Sequence, residues 1–321
     1  MYSWGHTRRF NAFSNYSVRH YGQRLQKVAI DAGFSCPNRD GTIGTDGCYY
    51  CDNKAFNPSY CMPEKSITQQ LSEGTVFLTR RYKKVTQYLA YFQAYTNTYA
   101  STEQLIEKYA EALRFPGVVG IVIGTRPDCV SPELLDSILK VTASKLLFIE
   151  FGVESCYDET LKKINRGHNF NQVVEALHMT AEKNIHTGIH LIFGLPGETP
   201  LMILQQVPKL AKLPFQSLKI HQLQIIKGTL MERLYREQPS LFANFTLVDY
   251  IALIVSFLER LPPKILIDRL AGEAPPRYHT QLSLKNRESW AGIRNDRILQ
   301  LIEKKMQEKD TWQGKLFNSD I

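Results

Sequence analysis

"KVAIDAGFSCPNRDGTIGTDGCYYC", residues 27–51, joins a short apolar run to a loop that carries three cysteines. Two residues separate Cys48 from Cys51, and eleven separate Cys36 from Cys48. Three glycines and two aspartates lie between the thiols, and this composition favours a loop over a helix or a strand. The stretch therefore predicts a β-strand whose carboxyl end opens into a cysteine loop.

Five more apolar runs of strand length follow, and helical patterns separate them. They are residues 87–93, 117–124, 145–153, 186–194 and 217–224. Strands that alternate with helices are typical of βαβ units, which build a parallel sheet. Because sites in such sheets form at the carboxyl ends of the strands, we expect an α/β fold, a partial or full βα barrel, with the cysteine loop at its mouth.

The chain divides by pattern into three regions. Residues 1–25 are basic and aromatic, residues 26–225 carry the strand and helix alternation, and residues 226–321 read mainly as helices. Within the last region, "PPKILIDRL" (262–270) is a candidate for one further strand. We interpret 26–225 as the core barrel and 226–321 as a C-terminal extension that packs on it.

Positive charge is concentrated in a few segments of a chain whose formal net charge is +8. The first thirty residues contain no acidic residue, and aromatic rings are interleaved with Arg8, Arg9, Arg19, Arg24 and Lys27. Residues 80–84 and the C-terminal tail are also basic. Cations contact phosphates and aromatic rings stack on unpaired bases, so the N-terminus is a candidate RNA surface. A solvated basic surface is the alternative.

The sequence predicts a cytoplasmic protein that does not enter a membrane. Its apolar runs are too short to span a bilayer, and the N-terminus lacks an apolar signal core with a cleavage site. Six cysteines in such a chain indicate metal or redox chemistry rather than disulfide bonds.

Three kinds of site compete for the clustered thiols. With Cys61 as a fourth ligand they could bind structural zinc, and Cys48 with Cys51 could form a redox pair. Alternatively, Cys36, Cys48 and Cys51 could bind a [4Fe–4S] cluster and leave one iron open. The position at the expected mouth, and the lack of a close partner for Cys36, favour the cluster.

Tyr50 precedes the last cysteine in "CYYC", and five further blocks follow in order: "YFQAYTNTY", "GTRPDC", "EFGVES", "INRGHN" and "HLIFGLPGET". In these blocks the chain resembles the radical S-adenosylmethionine (radical SAM) superfamily. Within it, the chain is similar to the YhcC-like group, which is related to the Elongator catalytic subunit and to oxygen-independent coproporphyrinogen oxidases. The resemblance spans roughly residues 10–300. It implies a partial (β/α)6 TIM-type barrel of the radical SAM kind with a C-terminal region.

The resemblance also implies the cofactors. Cys36, Cys48 and Cys51 would hold a [4Fe–4S] cluster whose open iron binds S-adenosylmethionine. An electron from a donor such as flavodoxin or ferredoxin would cleave that molecule to methionine and a 5′-deoxyadenosyl radical. The eleven-residue gap departs from the three-residue gap that is common in the superfamily, and it matches the expanded loop of the YhcC-like group.

Further cofactor-binding residues are implied by position in the blocks. Arg166 matches an arginine that pairs with the methionyl carboxylate, and Glu154 matches a polar residue near the ribose or methionine. His190 stands where relatives carry an Asp near the ribose. The stretch Gln93, Ala94, Tyr95 and Thr96 matches a loop that binds the methionyl amine, although its glycines are missing. Tyr50, Thr125 and Arg126 complete the set, the last two because Gly124 replaces an acidic residue.

No catalytic residue follows from the sequence with comparable support. Cys129 and Cys156 come after the third and fourth strands, and they are weak candidates for donating hydrogen to a radical. Small buried thiols without a chemical role are the alternative.

The resemblance leaves the substrate open. Kinship with the Elongator subunit and the basic N-terminus favour tRNA, with modification of the wobble uridine at C5 or radical trimming of an existing C5 side chain, such as a carboxymethylaminomethyl group. One alternative is a radical enzyme that acts on a porphyrin or another small molecule. Another is a zinc-stabilised RNA-binding module without enzymatic activity.

Overall fold

The computed structural model describes residues 1–80, 85–243, 245–280 and 293–318. This part of the chain contains seven strands that pair in parallel, in the order in which they occur along the chain. The strands are β1 Gln26–Ile30, β2 Tyr88–Phe92, β3 Val118–Thr125, β4 Leu146–Glu154, β5 His186–Phe193, β6 Ser217–Gln222 and β7 Leu266–Arg269. In the same part of the chain, no helix is long and apolar enough to cross a membrane.

Eleven described helices accompany the sheet, and several begin at side-chain caps that were recognisable in the sequence. They are α1 Phe13–Tyr21, α2 Asn53–Phe56, α3 Ile67–Thr79, α4 Thr102–Arg114, α5 Pro132–Thr142, α6 Asp158–Lys163, α7 Phe170–Glu182, α8 Pro200–Ala211, α9 Leu230–Glu237, α10 Leu247–Arg260 and α11 Asn295–Glu308. Ser101 and Asn169 each form a capping box with a Gln three residues later. Each box satisfies amide groups that a helix start leaves unpaired.

The predicted α/β fold with a partial barrel is confirmed, with one strand more than the six expected. Alternate residues of β4, such as Ile149, Phe151 and Val153, are fully buried in the core under the outer helices. The residues between them face the concave side of the curled sheet. The seventh strand comes from "PPKILIDRL" and pairs with β6, so the region after residue 225 contributes to the sheet itself.

The curled sheet begins with β1 and ends with β7, and side chains bridge these two ends. Lys27 of β1 forms an ion pair with Asp268 of β7. At the amino-terminal end of the strands, Phe13 of α1 packs edge-on against Phe148 and His186. Helix α1 therefore closes the bottom of the barrel, opposite the mouth where the cysteine loop lies.

The basic N-terminus is not a free arm. Arg8 forms an ion pair with Glu303 of α11, and Arg9 bonds to Asp310 just beyond that helix. Lys27 points into the barrel. The expectation that these cations form an RNA surface is wrong for Lys27 and is weakened for both arginines, because acidic partners distant in sequence neutralise them. Residues 81–84 of the second basic segment, and Lys285 and Arg287 of the third, lie outside the described residues.

Candidate active site

The cysteine loop is held from two sides by backbone groups. The amide of Tyr49 donates to Ile164 O at 3.0 Å, and Tyr49 O accepts from the amide of Met231 at 2.9 Å. The side chain of Asn165 donates to Gly47 O at 2.8 Å. The loop that follows α6 and the start of α9 therefore hold the thiol-bearing segment through backbone hydrogen bonds.

The three thiols are free, and they influence one another electrostatically. Burial raises the pKa of Cys51 to about 11, and the nearby Cys48 and Cys36 add to this effect. No group of three His, Cys, Asp or Glu side chains in the described ranges is arranged around a single metal ion. A [4Fe–4S] cluster needs a wider arrangement, because each thiolate binds a different iron.

Cys61 lies outside the cysteine loop that carries the other three thiols. It is buried with Tyr60, Ile67 and Val28 between β1 and α3, and burial raises its pKa to about 12. Its placement among apolar side chains offers no support for a four-thiol zinc site.

Two arginines next to the thiols fit an anionic cluster. Arg166 directs Nη1 to Cys48 Sγ at 3.4 Å, and Arg39 directs Nη2 to Cys51 O at 2.9 Å. The Nε of Arg166 is buried without a described hydrogen-bond partner. A buried cation with an unused N–H donor needs an acceptor. The three thiols and the two guanidinium groups beside them suit a thiolate-bound cluster. The unused N–H of Arg166 suits an anionic ligand next to that cluster.

Arg166 and Glu154, two residues that the resemblance implies at the cofactor site, lie next to each other at the mouth. Arg166 Nη2 donates to Gly152 O at 2.7 Å and lies 3.4 Å from Glu154 Oε1. A Cβ atom at Gly152 would collide with this guanidinium, so only glycine allows the approach. Tyr50 belongs to the same group, because burial raises its pKa while the charges of Arg166 and Glu154 act on it.

Three non-glycine residues around the mouth have left-handed backbones. The φ angles are +58° at Tyr95, +66° at Glu154 and +52° at Asn165. Such conformations cost of order 1–3 kcal/mol each and persist where the surroundings enforce them. These three residues lie at the same end of the barrel, and the other described non-glycine residues with positive φ, Ala143, Asn184 and Asp310, follow the ends of helices.

The remaining predicted cofactor residues line the mouth in different ways. Thr125 is buried and shares a hydroxyl hydrogen bond with Thr98. Thr96 is also buried, and its Oγ1 has no described partner, which leaves a donor for a ligand. Arg126 is fully buried and braces the mouth, since it grips Asp128 with Nε and Nη2 and donates from Nη1 to Arg166 O at 2.7 Å.

The stretch after β2 reaches the cysteine loop through Tyr95, whose ring lies 5.4 Å from the guanidinium of Arg39. Gln93 is half-buried and Ala94 is buried. The amide of Gln93 donates to Ile30 O at 3.2 Å, which ties this stretch to β1.

The two candidate thiols are placed differently. Burial raises the pKa of Cys129 to about 12, and the charge of Cys36 adds to this effect. Cys129 therefore lies near the cysteine loop. Cys156 is buried in the main core with Leu177 and Ile203. The structure therefore places Cys156 behind the sheet, away from the concave side.

The concave side contains a buried polar layer that the sequence analysis missed. Glu150 of β4 bonds to Lys219 of β6, to Lys27 of β1 at 2.7 Å and to His190 of β5 at 3.0 Å. Lys219 lies 3.5 Å from Asp268 of β7. Contacts between strands so far apart in the sheet are possible only across its concave side.

This layer fixes the state of His190. Burial favours the neutral form of Glu150, but Lys219 and Lys27 outweigh it and hold the pKa of this carboxyl well below its usual range. Burial, then Lys219, lowers the pKa of His190, so the imidazole is neutral and donates through Nε2 to the carboxylate. One signal was available in the sequence: Glu150 and Lys219 each stand between two apolar residues in the interior of a strand.

Arg166→Lys is expected to weaken S-adenosylmethionine binding by on the order of 1–3 kcal/mol, because a fork of donors becomes a point charge. Since Arg166 is buried, a modest loss of stability should accompany the change. Cofactor titration and urea unfolding of the anaerobic protein measure the two effects. The control is Arg233→Lys, a substitution of an exposed side chain on α9. Unchanged cofactor affinity would remove Arg166 from the site.

Glu198 in "GLPGET" gives a pH-dependent prediction. Burial raises its pKa from 4.5 to about 7, although Ser155 donates to it. The folded protein thus binds this proton more tightly than the unfolded chain does. The contribution of protonated Glu198 to the free energy of unfolding is therefore fully present below pH 4.5 and is lost as the pH rises through 7.

Glu198→Gln should therefore gain stability relative to the native chain between these pH values, on the order of 2 kcal/mol. Urea unfolding at several pH values tests this. Parallel stability profiles for both proteins would contradict the assignment.

Comparisons with known proteins agree with the geometry. The model of the Radical SAM superfamily matches residues 38–205, and that of the Radical_SAM C-terminal domain matches residues 215–308. Protein YhcC of Escherichia coli (strain K12) is 33% identical over 285 residues, which cover 88% of this chain and 89% of YhcC.

Two further comparisons concern a protein named for tRNA modification and a solved structure of Elp3. A protein of Dehalococcoides mccartyi named tRNA uridine(34) acetyltransferase is 27% identical over 161 residues, covering 49% of this chain and 34% of that protein. The solved structure of archaeal Elp3 from Methanocaldococcus infernus has a TM-score of 0.65 at 17% identity, and the match covers 90% of this chain and 64% of that one. At this identity the structural likeness concerns the fold.

Proposed function

The chain belongs to the radical SAM superfamily, and from that premise we propose that it is the enzyme of a tRNA modification that alters the C5 substituent of the wobble uridine. Members of this superfamily use a [4Fe–4S] cluster and S-adenosylmethionine. The proposal extends the family chemistry to one substrate class.

One observation carries the choice of substrate. The similarity to the protein named tRNA uridine(34) acetyltransferase falls on about half of this chain, and the Elp3 likeness extends the shared fold to most of it. The polar layer supports a polar substrate, because Glu150, His190 and Lys219 lie below the mouth on the concave side.

The chain's own residues divide the work by position. Cys36, Cys48 and Cys51 would hold the cluster, and Arg166 would offer its free Nε–H to the anionic end of S-adenosylmethionine. When bound, the cluster and S-adenosylmethionine would supply a radical that removes a hydrogen atom from a substrate carbon. Thr96 and Glu154 provide polar groups at the mouth, and α1 closes the opposite end of the barrel to water.

The test compares modified nucleosides in bulk tRNA from a deletion strain with those from the parent strain. We expect one wobble-uridine nucleoside to disappear and its precursor to accumulate. A plasmid copy of the native gene should restore the profile, whereas a Cys48→Ala copy should not. Identical profiles in the deletion and parent strains would refute the tRNA proposal and leave a small-molecule substrate.

A further inference from the structure

Three segments that leave strand ends meet above the gap between β1 and β7. Ala55 of α2 follows β1, Ile226 follows β6 and Ala274 follows β7, and these three residues are buried together with Tyr278 against them. Ile226 forms an antiparallel bridge with His279. The contact places these segments at the edge of the mouth, because each of them follows the carboxyl end of its strand.

The same segments carry exposed cations. Lys54, Lys227 and Arg277 are exposed, and none of them has an ion pair with a described residue. The Arg277 guanidinium lies 4.9 Å from the ring centre of Tyr278. Lys54, Lys227, Arg277 and Tyr278 are called the rim patch below.

Three acidic groups lie near these cations, and each of them has another partner. Glu273 is exposed on the segment after β7 and accepts from the amide of Asn295 at 3.3 Å. Asp52 accepts from the amide of Lys54 at 2.9 Å and thereby caps α2. Glu232, whose charge acts on Lys227, forms an ion pair with Arg236 at 2.6 Å. The three cationic side chains are exposed and none of these carboxylates forms an ion pair with them.

The basic N-terminus is the competing surface, and two observations weigh against it. Arg8 and Arg9 have carboxylate partners near the C-terminus, and Arg19 donates to Trp4 O at 3.2 Å. Helix α1 also lies at the bottom of the barrel, the full length of the strands away from the cysteine loop. Contacts between RNA and this surface would lie far from the base that reacts at the mouth.

We propose that the rim patch binds the phosphodiester backbone of single-stranded RNA and holds it beside the mouth. This inference rests on the proposed function and adds the surface that delivers the substrate. Cations without carboxylate partners release counterions when they meet phosphates, and a ring paired with a guanidinium offers a stacking face to an unpaired base. The patch joins both features within reach of the cysteine loop.

The test removes three charges from the patch and three from a remote surface. Lys54→Gln, Lys227→Gln and Arg277→Gln are combined in one variant. The control combines Lys212→Gln, Arg297→Gln and Lys304→Gln, which are exposed at the end of α8 and on α11. Each variant lowers the formal net charge by three from +8, to +5. Binding to bulk tRNA is measured across a series of salt concentrations.

We expect the rim variant to bind tRNA more weakly, with a log–log salt slope that is shallower by about 2, the value for three single-strand phosphate contacts. The control should keep the native slope, and thermal unfolding should show both variants folded. A native slope in the rim variant, or equal losses in both variants, would overturn the assignment. If the native protein shows no salt-dependent tRNA binding, the proposed function fails together with this inference.

Discussion

Replacing Cys36, Cys48 or Cys51 with Ala is expected to abolish S-adenosylmethionine cleavage by the anaerobically reconstituted protein. Each thiol would bind a different iron, so the loss of one leaves an iron without its protein ligand. Iron and sulfide content should fall together with the visible absorbance of the cluster. The measurement is metal and sulfide analysis beside a cleavage assay, so that binding and chemistry are read separately.

Cys61→Ala is the matched control for these three substitutions. Its thiol is packed with Tyr60 and Ile67 in the core, so the change should cost some stability and leave iron content unchanged. If Cys61→Ala loses iron as fully as the other three variants, the three-thiol assignment is wrong and a four-thiol site replaces it.

Glu150→Gln should lower the free energy of unfolding by about 3–5 kcal/mol, the cost of removing one partner from a buried ion pair. The substitution keeps the size of the side chain and removes the charge that Lys27 and Lys219 share. Among the described residues, Asp268 is the carboxylate that would then remain in ion pairs with the two lysines on the concave side. Urea unfolding of the apoprotein measures the loss.

The double variant Glu150→Gln/Lys219→Met separates charge from packing. Because it removes one charge of each sign, we expect it to recover a large part of the lost stability. A loss below about 1 kcal/mol in the single variant would show that solvent screens the layer. Equal losses in the single and double variants would show that Lys219 does not depend on Glu150.

The strands and the cysteine loop could be predicted from the sequence because local patterns determine them. The run "KVAID" predicted a strand at 27–31 and the structure has one at Gln26–Ile30, while the third and fourth runs fall within one residue of β3 and β4. Blocks such as "INRGHN" identified Arg166, which the structure brings to Cys48. Composition and periodicity within one segment were sufficient for the strands, whereas Arg166 was identified by the resemblance to a known family.

What could not be predicted depends on contacts between distant segments. The bond between Lys27 and Glu150 joins residues 123 positions apart, and that between Arg8 and Glu303 joins residues 295 apart. In the sequence Lys27 and Arg8 look like members of one basic surface. Only the curl of the sheet and the docking of α11 reveal that the first is internal and the second is paired.

The hydrogen bonds that hold the cysteine loop bear on how the protein survives exposure to air. Tyr49 and Gly47 are held through amide and carbonyl groups, which oxygen does not attack, whereas iron–sulfur clusters are oxidised readily. Because these contacts do not involve the thiols, oxidative loss of the metal is expected to leave them intact. We therefore expect that iron and sulfide added to air-exposed protein under anaerobic conditions would restore the visible absorbance of the cluster without a cycle of unfolding and refolding.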